Sequence, residues 1–254
     1  MRAYLIAKLE QNYETQVRQI GALVQLPHLM EFHGVRLICS RFISPAVQRE
    51  IATGHYEGDE ILCALLNIEP DDVVLELGAG IGALSAVVLS RKKAAGWVCV
   101  EAHPDLLPII RKNHKLNGLS GVELISGALS NDPAQTGHDF YVQEDFWDSS
   151  LLKPAKFVEV KRVPGFLFAD ILAKYRPTFI ICDIEGGEYE LFSGDIDLLC
   201  VRKVCLEAHA ADSAKMNALA AFFADRGFAL TPPPLRLGVN YWERKGGAEC
   251  LTNA

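Results

Sequence analysis

From Asp71 onward the chain alternates short apolar runs with stretches in which apolar residues recur at helical spacing. The runs at 73–77, 97–101, 122–126, 178–183 and 202–207 have the length and continuity of strands buried on both faces. Helical spacing follows near 82–91, 104–117, 187–193 and 213–226, and this alternation predicts a doubly wound α/β sheet. Pro104 and Gly118 bracket the second helix in the proline-first, glycine-last order. The interval 130–165 breaks the rhythm: 138–143 and 157–162 alternate apolar and polar residues, which predicts an antiparallel hairpin inserted between the third and fourth parallel strands.

Upstream the pattern is different. Residues 4–21 carry apolar positions at helical spacing and end on Gly21, predicting an N-terminal helix. Residues 31–40 alternate around His33-Gly34 as a short hairpin does, and Ser44-Pro45 reads as an N-cap followed by a first-turn proline. Residues 1–70 therefore read as a helical and hairpin cap, and 71–254 as a cofactor-binding domain. Within the cap, the loop Gly54-His55-Tyr56-Glu57 brings two polar side chains close to the first strand of that domain.

The first strand ends in Glu76-Leu77-Gly78-Ala79-Gly80-Ile81-Gly82, and the second ends at Glu101. A strand, a glycine turn and a helix start form a cradle for a nucleotide-like cofactor, because a backbone without Cβ atoms lets a ligand approach closely. Glu101 stands where an acid can accept the hydroxyl protons of a ribose. Gly78-x-Gly80-x-x-Ala83 fits the loose nicotinamide fingerprint, so a nicotinamide-dependent dehydrogenase is one reading. Glu76 argues for another: a carboxylate inside a buried strand needs a partner, either a ring of backbone N–H donors or a cationic ligand group such as the ammonium of S-adenosylmethionine.

Two further motifs mark the carboxyl ends of later strands, which border the ligand crevice in open α/β sheets. They are Asp183-Ile184-Glu185-Gly186-Gly187-Glu188 and Leu206-Glu207-Ala208-His209. Helix capping accounts for Glu188 and Glu190 but not for Asp183 and Glu185. By residue type His209 is a candidate general base. Asp183, Glu185 and Glu207 form an alternative hard oxygen set for Mg²⁺.

Composition narrows the chemistry. With 254 residues, half of them apolar, the chain can bury a large core, and its net charge of −7 without basic clusters speaks against nucleic acid and for a small-molecule acceptor. The seven cysteines form no C-x-x-C pair and mostly lie in apolar runs, which reads as buried thiols in a reducing compartment. No apolar run reaches the roughly 18 residues that span a bilayer, and the start has no signal-peptide form, so a cytoplasmic location is expected. Oligomeric state is not legible in the sequence.

Taken together, Tyr56-Glu57, Leu75–Gly82, Glu101-Ala102-His103-Pro104, Asn117-Gly118, Asp183–Glu188 and Leu206–His209 resemble the FkbM family of S-adenosylmethionine-dependent methyltransferases, over about residues 56–228. Gly80 and Gly187 stand where that family usually has an asparagine-like residue and an alanine. The resemblance implies a class I methyltransferase (Rossmann-like) fold, a seven-stranded sheet whose last, antiparallel strand would come from 238–244. It implies O-methylation of a sugar or secondary metabolite, with S-adenosylhomocysteine as product. It assigns the methionine end and sugar of the cofactor to Gly78, Ala79, Gly80 and Gly82, the ammonium to Glu76 and the ribose to Glu101 with Ala102 beside it. Gly127 and Ala128 fall at the adenine edge, Asp183 beside the methionine end or the methyl itself, and Tyr56 and Glu57 also on the cofactor. A cofactor-binding protein without catalysis would keep the glycine turn and Glu101 but would not need Asp183 or His209.

Overall fold

The structure, a computed structural model, describes residues 28–40, 43–209, 212–231 and 238–245. The helix expected over 4–21 lies outside them. The cap opens with the hairpin β1 (His28–Phe32) and β2 (Val35–Cys39), which turns at His33-Gly34. Helix α1 (Pro45–Thr53) starts as its sequence requires: the Ser44 hydroxyl accepts the Val47 N–H and Pro45 stands in the first turn. Helix α2 (Gly58–Asn67) completes the cap.

The central sheet is built from β3 (Val73–Leu77), β4 (Gly96–Glu101), β5 (Val122–Ser126), β9 (Phe179–Cys182), β10 (Lys203–Glu207), β11 (Phe228–Leu230) and β12 (Val239–Arg244). Its order is β5-β4-β3-β9-β10-β12-β11. The first five strands run parallel, and β12 lies antiparallel between β10 and β11. This is the class I methyltransferase arrangement expected above. It differs from the 3-2-1-4-5-6 order of the dinucleotide-binding folds by the antiparallel strand wedged in at one side. Helices α3 (Ala83–Leu89), α4 (Leu107–Leu116), α5 (Phe168–Tyr175), α6 (Glu188–Leu191) and α7 (Ser213–Asp225) cover the sheet.

Alternation along β3 decides which core each residue joins. Val74 packs with the cap, α3 and α4, whereas Leu75 and Leu77 pack with α5 and α7. Helix α4 begins at Leu107 with Pro108 in its first turn, so Pro104 belongs to the preceding turn and not to the helix as expected. Helix α5 and strand β11 have no counterpart among the elements expected from the sequence. The reason at α5 is local: its N-cap is Leu167, which has no side-chain cap, so nothing polar separates helix from strand.

Residues 128–167 form a separate three-stranded sheet, with β8 (Glu159–Leu167) between β6 (Ala128–Ser130) and β7 (Gly137–Val142). The antiparallel β7/β8 pair is the expected hairpin, and β6 pairs parallel to β8. Five described cysteines, Cys39, Cys63, Cys99, Cys182 and Cys205, are buried free thiols. Cys200 corrects the expectation of seven thiols, because it is disulfide-bonded in the turn before β10.

Two polar clusters hold this frame. Asn113, fully buried on α4, accepts the Ile38 N–H at 2.7 Å and donates to the Ile81 carbonyl at 2.9 Å, joining the cap hairpin, the glycine turn and α4. Asn117 pairs with both backbone groups of Arg36, which gives the Asn117-Gly118 motif a structural role. Asn113→Ala leaves two buried backbone groups without partners and is expected to cost about 2–4 kcal/mol, measured by urea denaturation.

At the sheet end away from the glycine turn, buried Asp72 accepts from Lys203 Nζ (2.7 Å), Thr178 Oγ1 (2.7 Å), Arg202 Nη2 (2.8 Å) and the Glu69 N–H (2.8 Å). Burial alone would raise its pKa, but these donors outweigh it and hold the carboxyl below its ordinary 3.8. A folded-state pKa below the unfolded value stabilises the protein above the unfolded value, and that stability is lost as pH falls through the folded one. Acid titration of Asp72→Asn is expected to show a shallower stability loss below pH 3.8 than wild type.

Candidate active site

The strand order reverses between β3 and β9, and both strands end at the same rim. Gly78 follows β3 there and Asp183 follows β9, so close that a Cβ on Gly78 would lie 1.8 Å from the Asp183 carbonyl oxygen. A cavity of about 260 Å³ opens over this crevice. Of the expected cofactor residues, Tyr56, Glu57, Gly78, Gly80, Glu101, Ala102, Gly127, Ala128 and Asp183 line it. The inserted sheet supplies its outer wall through Ala128, Leu129 and Phe140.

Glu101 is the hub of the cavity floor. It is 6% exposed, and its two oxygens accept the Gly80 N–H at 2.7 Å and the His103 N–H at 2.6 Å. Burial pushes its pKa up to about 7 against these hydrogen bonds. Glu57 accepts the Leu84 N–H at 3.1 Å, and burial next to Glu76, Asp183 and Glu60 raises its pKa.

Three expected cofactor residues do not reach the cavity. Glu76 pairs with Cys99 across β3 and β4, and one of its oxygens accepts from Trp97 Nε1 at 2.6 Å and Cys99 Sγ at 3.0 Å. Its partner is therefore the neighbouring strand, not a cofactor ammonium. Burial lifts its pKa to about 7, although both donors act to lower it. Ala79 is fully buried in the core shared with the cap. Gly82 backs onto α4, where a Cβ would meet His114 Nε2 at 2.9 Å and Ile110 Cγ2 at 3.0 Å, so its glycine serves helix packing.

A second, more open cavity of about 670 Å³ adjoins the first. Tyr56, Glu57, Trp147, Asp183 and Glu185 line both. Trp147 belongs to the short 3₁₀ turn Phe146–Asp148 of the insertion and stacks on Tyr56 with ring centroids 6.4 Å apart, joining insertion and cap above the junction. The sequence carries no signal for this pairing, because both residues lie in irregular segments. Glu185 has φ 42°, in the left-handed region, and its carbonyl accepts from Ser150 Oγ at 2.9 Å.

His209 lines only the second cavity and stands among carboxylates. Its Nε2 is 3.5 Å from Asp183 Oδ1, 3.5 Å from Glu185 Oε1 and 3.8 Å from Glu207 Oε1. Glu188, fully buried, lies on the other side: its Oε1 accepts the His209 backbone N–H at 2.7 Å and is 3.7 Å from Nδ1. Burial would lower the imidazole pKa, but the surrounding acids raise it to about 9. Burial and neighbouring carboxylates likewise lift Asp183 and Glu185 to about 7. With no ion bound, these acids favour the protonated imidazole. Glu60, buried beside Glu207, is raised to about 8, chiefly by burial.

The profile of the methyltransferase FkbM domain matches residues 76–230, more than half of the chain. An uncharacterized protein of Methanocaldococcus jannaschii, MJ1452, is 30% identical over 125 residues, which are 49% of this chain and 47% of that protein. The chain thus spans about half the length of this curated relative. Among solved structures, M. jannaschii TYW2 in complex with AdoMet aligns over 86% of both chains with 13% identity and a TM-score of 0.47. A putative RNA methyltransferase of Pyrococcus horikoshii, PH1948, aligns over 75% of this chain and 82% of its own with 16% identity and a TM-score of 0.41. By the domain match over residues 76–230, and with the glycine turn, Glu101 and Asp183 on one rim, the chain belongs to the FkbM-domain methyltransferase family.

Proposed function

We propose that this protein is an S-adenosylmethionine-dependent methyltransferase acting on a hydroxyl of a small, polar, non-anionic acceptor such as a sugar or secondary metabolite. The observation that carries the reading is the charge of the cleft. Glu57, Glu101, Asp183, Glu185 and Glu190 line the first cavity, and no Lys or Arg stands among the described residues there. Such walls attract a cofactor carrying an ammonium and a sulfonium and repel the pyrophosphate of a nicotinamide dinucleotide. The cleft therefore suits S-adenosylmethionine, which supplies an electrophilic methyl group when bound.

The chain's own residues position the partners. Backbone at Gly78 and Gly80 lines the cofactor end of the cavity, and Glu101 retains free lone pairs to accept ribose hydroxyls. Ala102, Leu106, Ala128 and Phe140 give an apolar slot for a flat base beside Gly127. Asp183 and Glu185 face both cavities and so stand where an acceptor in the second meets a methyl donor in the first. Holding donor and acceptor in line can lower the barrier by up to about 7–11 kcal/mol.

The second cavity also tells against anionic acceptors, being lined by eight carboxylates, Glu50, Glu57, Asp59, Glu60, Asp148, Asp183, Glu185 and Glu207, and by no described Lys or Arg. The same acidity favours an amine acceptor as a second reading. Calorimetric titration with S-adenosylhomocysteine and NADH, followed by transfer from methyl-labelled cofactor to polyol and amine panels, tests both levels. The reading expects S-adenosylhomocysteine to bind, NADH not to bind, and label to enter polyols. Label in amines alone moves the accepting atom to nitrogen, and NADH binding without S-adenosylhomocysteine binding refutes the cofactor assignment.

A further inference from the structure

We infer that Asp183, Glu185 and His209 form a binding site for a first-row divalent metal ion at the junction of the two cavities. The inference deepens the methyl-transfer reading and rests on it only for the ion's role, not for the site. One oxygen from each carboxylate and one imidazole nitrogen lie within 4.8 Å of one another.

The spacing is informative. His209 Nε2 is 3.5 Å from both Asp183 Oδ1 and Glu185 Oε1, and the Asp183 oxygen, although buried, has no hydrogen-bond donor. These contacts are longer than the usual ~2.7–2.9 Å of a charge-assisted N–H···O bond. Two donor atoms bonded at about 2.0–2.2 Å to one ion are held about 2.8–3.6 Å apart for angles between octahedral and tetrahedral, a range that contains both His209–carboxylate separations.

A second, independent feature is the orientation of the imidazole. Ligating histidines present one nitrogen to the metal and offer the other to a carboxylate or carbonyl that fixes the ring. Glu188 stands on the Nδ1 side of the ring: it is fully buried, grips the His209 backbone N–H and leaves Oε1 3.7 Å from Nδ1, beyond hydrogen-bond distance. Its other oxygen has no hydrogen-bond partner. The acidic set read from sequence, with Glu207 as third ligand, is thereby altered: Glu207 is farther away at 3.8 Å, and His209 takes its place.

Two carboxylates and one imidazole make a mixed oxygen and nitrogen set suited to Mn²⁺, Fe²⁺ or Zn²⁺ more than to Mg²⁺. Three protein ligands leave coordination positions open, as catalytic metal sites do. All three residues line the second cavity, so those positions can take an acceptor hydroxyl and lower its pKa by direct coordination.

The test is a Mn²⁺ titration of the full chain followed by electron paramagnetic resonance, alongside calorimetric titration with S-adenosylhomocysteine. Wild type is expected to bind one Mn²⁺ per chain. Asp183→Asn and His209→Ala should abolish that binding, and Glu188→Gln should weaken it by about 10–100-fold. His209 does not line the first cavity, so His209→Ala should keep its affinity for S-adenosylhomocysteine, which also shows that the variant is folded. Wild type that binds no Mn²⁺, or His209→Ala that binds it as wild type does, overturns the site. Absence of Mn²⁺ binding together with a melting-temperature rise on adding spermidine overturns it in favour of an amine acceptor among the same carboxylates. Mn²⁺ binding without S-adenosylhomocysteine binding would leave the metal site standing and reject the methyl-transfer reading.

Discussion

Gly78→Ala is expected to destabilise the protein by more than about 4 kcal/mol and to remove cofactor binding in whatever fraction still folds. Gly78 has φ 82°, a region that L side chains avoid, and a Cβ there would sit 1.8 Å from the Asp183 carbonyl oxygen. The obstacle is backbone, so no side-chain rotation relieves it. The Gly78 N–H donates to the Val100 carbonyl at 3.0 Å and the Asp183 N–H to Leu77 at 3.0 Å, so moving either segment breaks ladder bonds at the strand ends. Urea denaturation and titration with S-adenosylhomocysteine check this. Wild-type stability with wild-type affinity would show that the two loops are not packed as described.

The second large effect is expected at Glu101. Each of its oxygens accepts a backbone N–H, one from the glycine turn and one from the turn that starts toward α4, so the carboxylate fixes the cavity floor before any ligand arrives. Two ribose hydroxyl bonds to a charged acceptor contribute about 1.5–3 kcal/mol each to binding; Glu101→Ala removes both and also frees the two turns its oxygens hold. Affinity for S-adenosylhomocysteine should fall by about two to four powers of ten, at 1.4 kcal/mol per tenfold. Glu101→Gln should fall nearly as far, because its amide NH₂ would face a backbone N–H donor. An unchanged dissociation constant in both variants would place the ribose acceptor elsewhere.

Much of this architecture is legible in the chain. Strands β3 and β5 begin and end where the apolar runs 73–77 and 122–126 do, and the two hairpins fall on the two alternating stretches. Continuous apolar runs and turn residues carry that information locally. The direction in which a side chain leaves a buried strand is not local. Glu76 reads as an orphan acid next to a glycine turn, yet it shares a face with Val74 and finds Trp97 and Cys99 on the adjacent strand. Only the pairing register of β3 with β4 reveals those partners.

The glycines show the same limit. Gly78 and Gly82 are both left-handed, but one meets the crevice and the other meets α4, and sequence spacing does not separate the two uses. Around His209 the acids at strand ends are readable as a rim. Glu188 is readable only as a helix-start acid, whereas the fold buries it against the imidazole.

The most direct test of S-adenosylmethionine binding at this rim is a crystal structure of the protein grown with S-adenosylhomocysteine. The ligand is expected in the first cavity, with its ribose hydroxyls on Glu101, its base against Ala128 and Phe140, and its sulfur turned toward Asp183 and the second cavity. A ligand bound away from Glu101, or one whose sulfur points away from Asp183, would contradict this assignment.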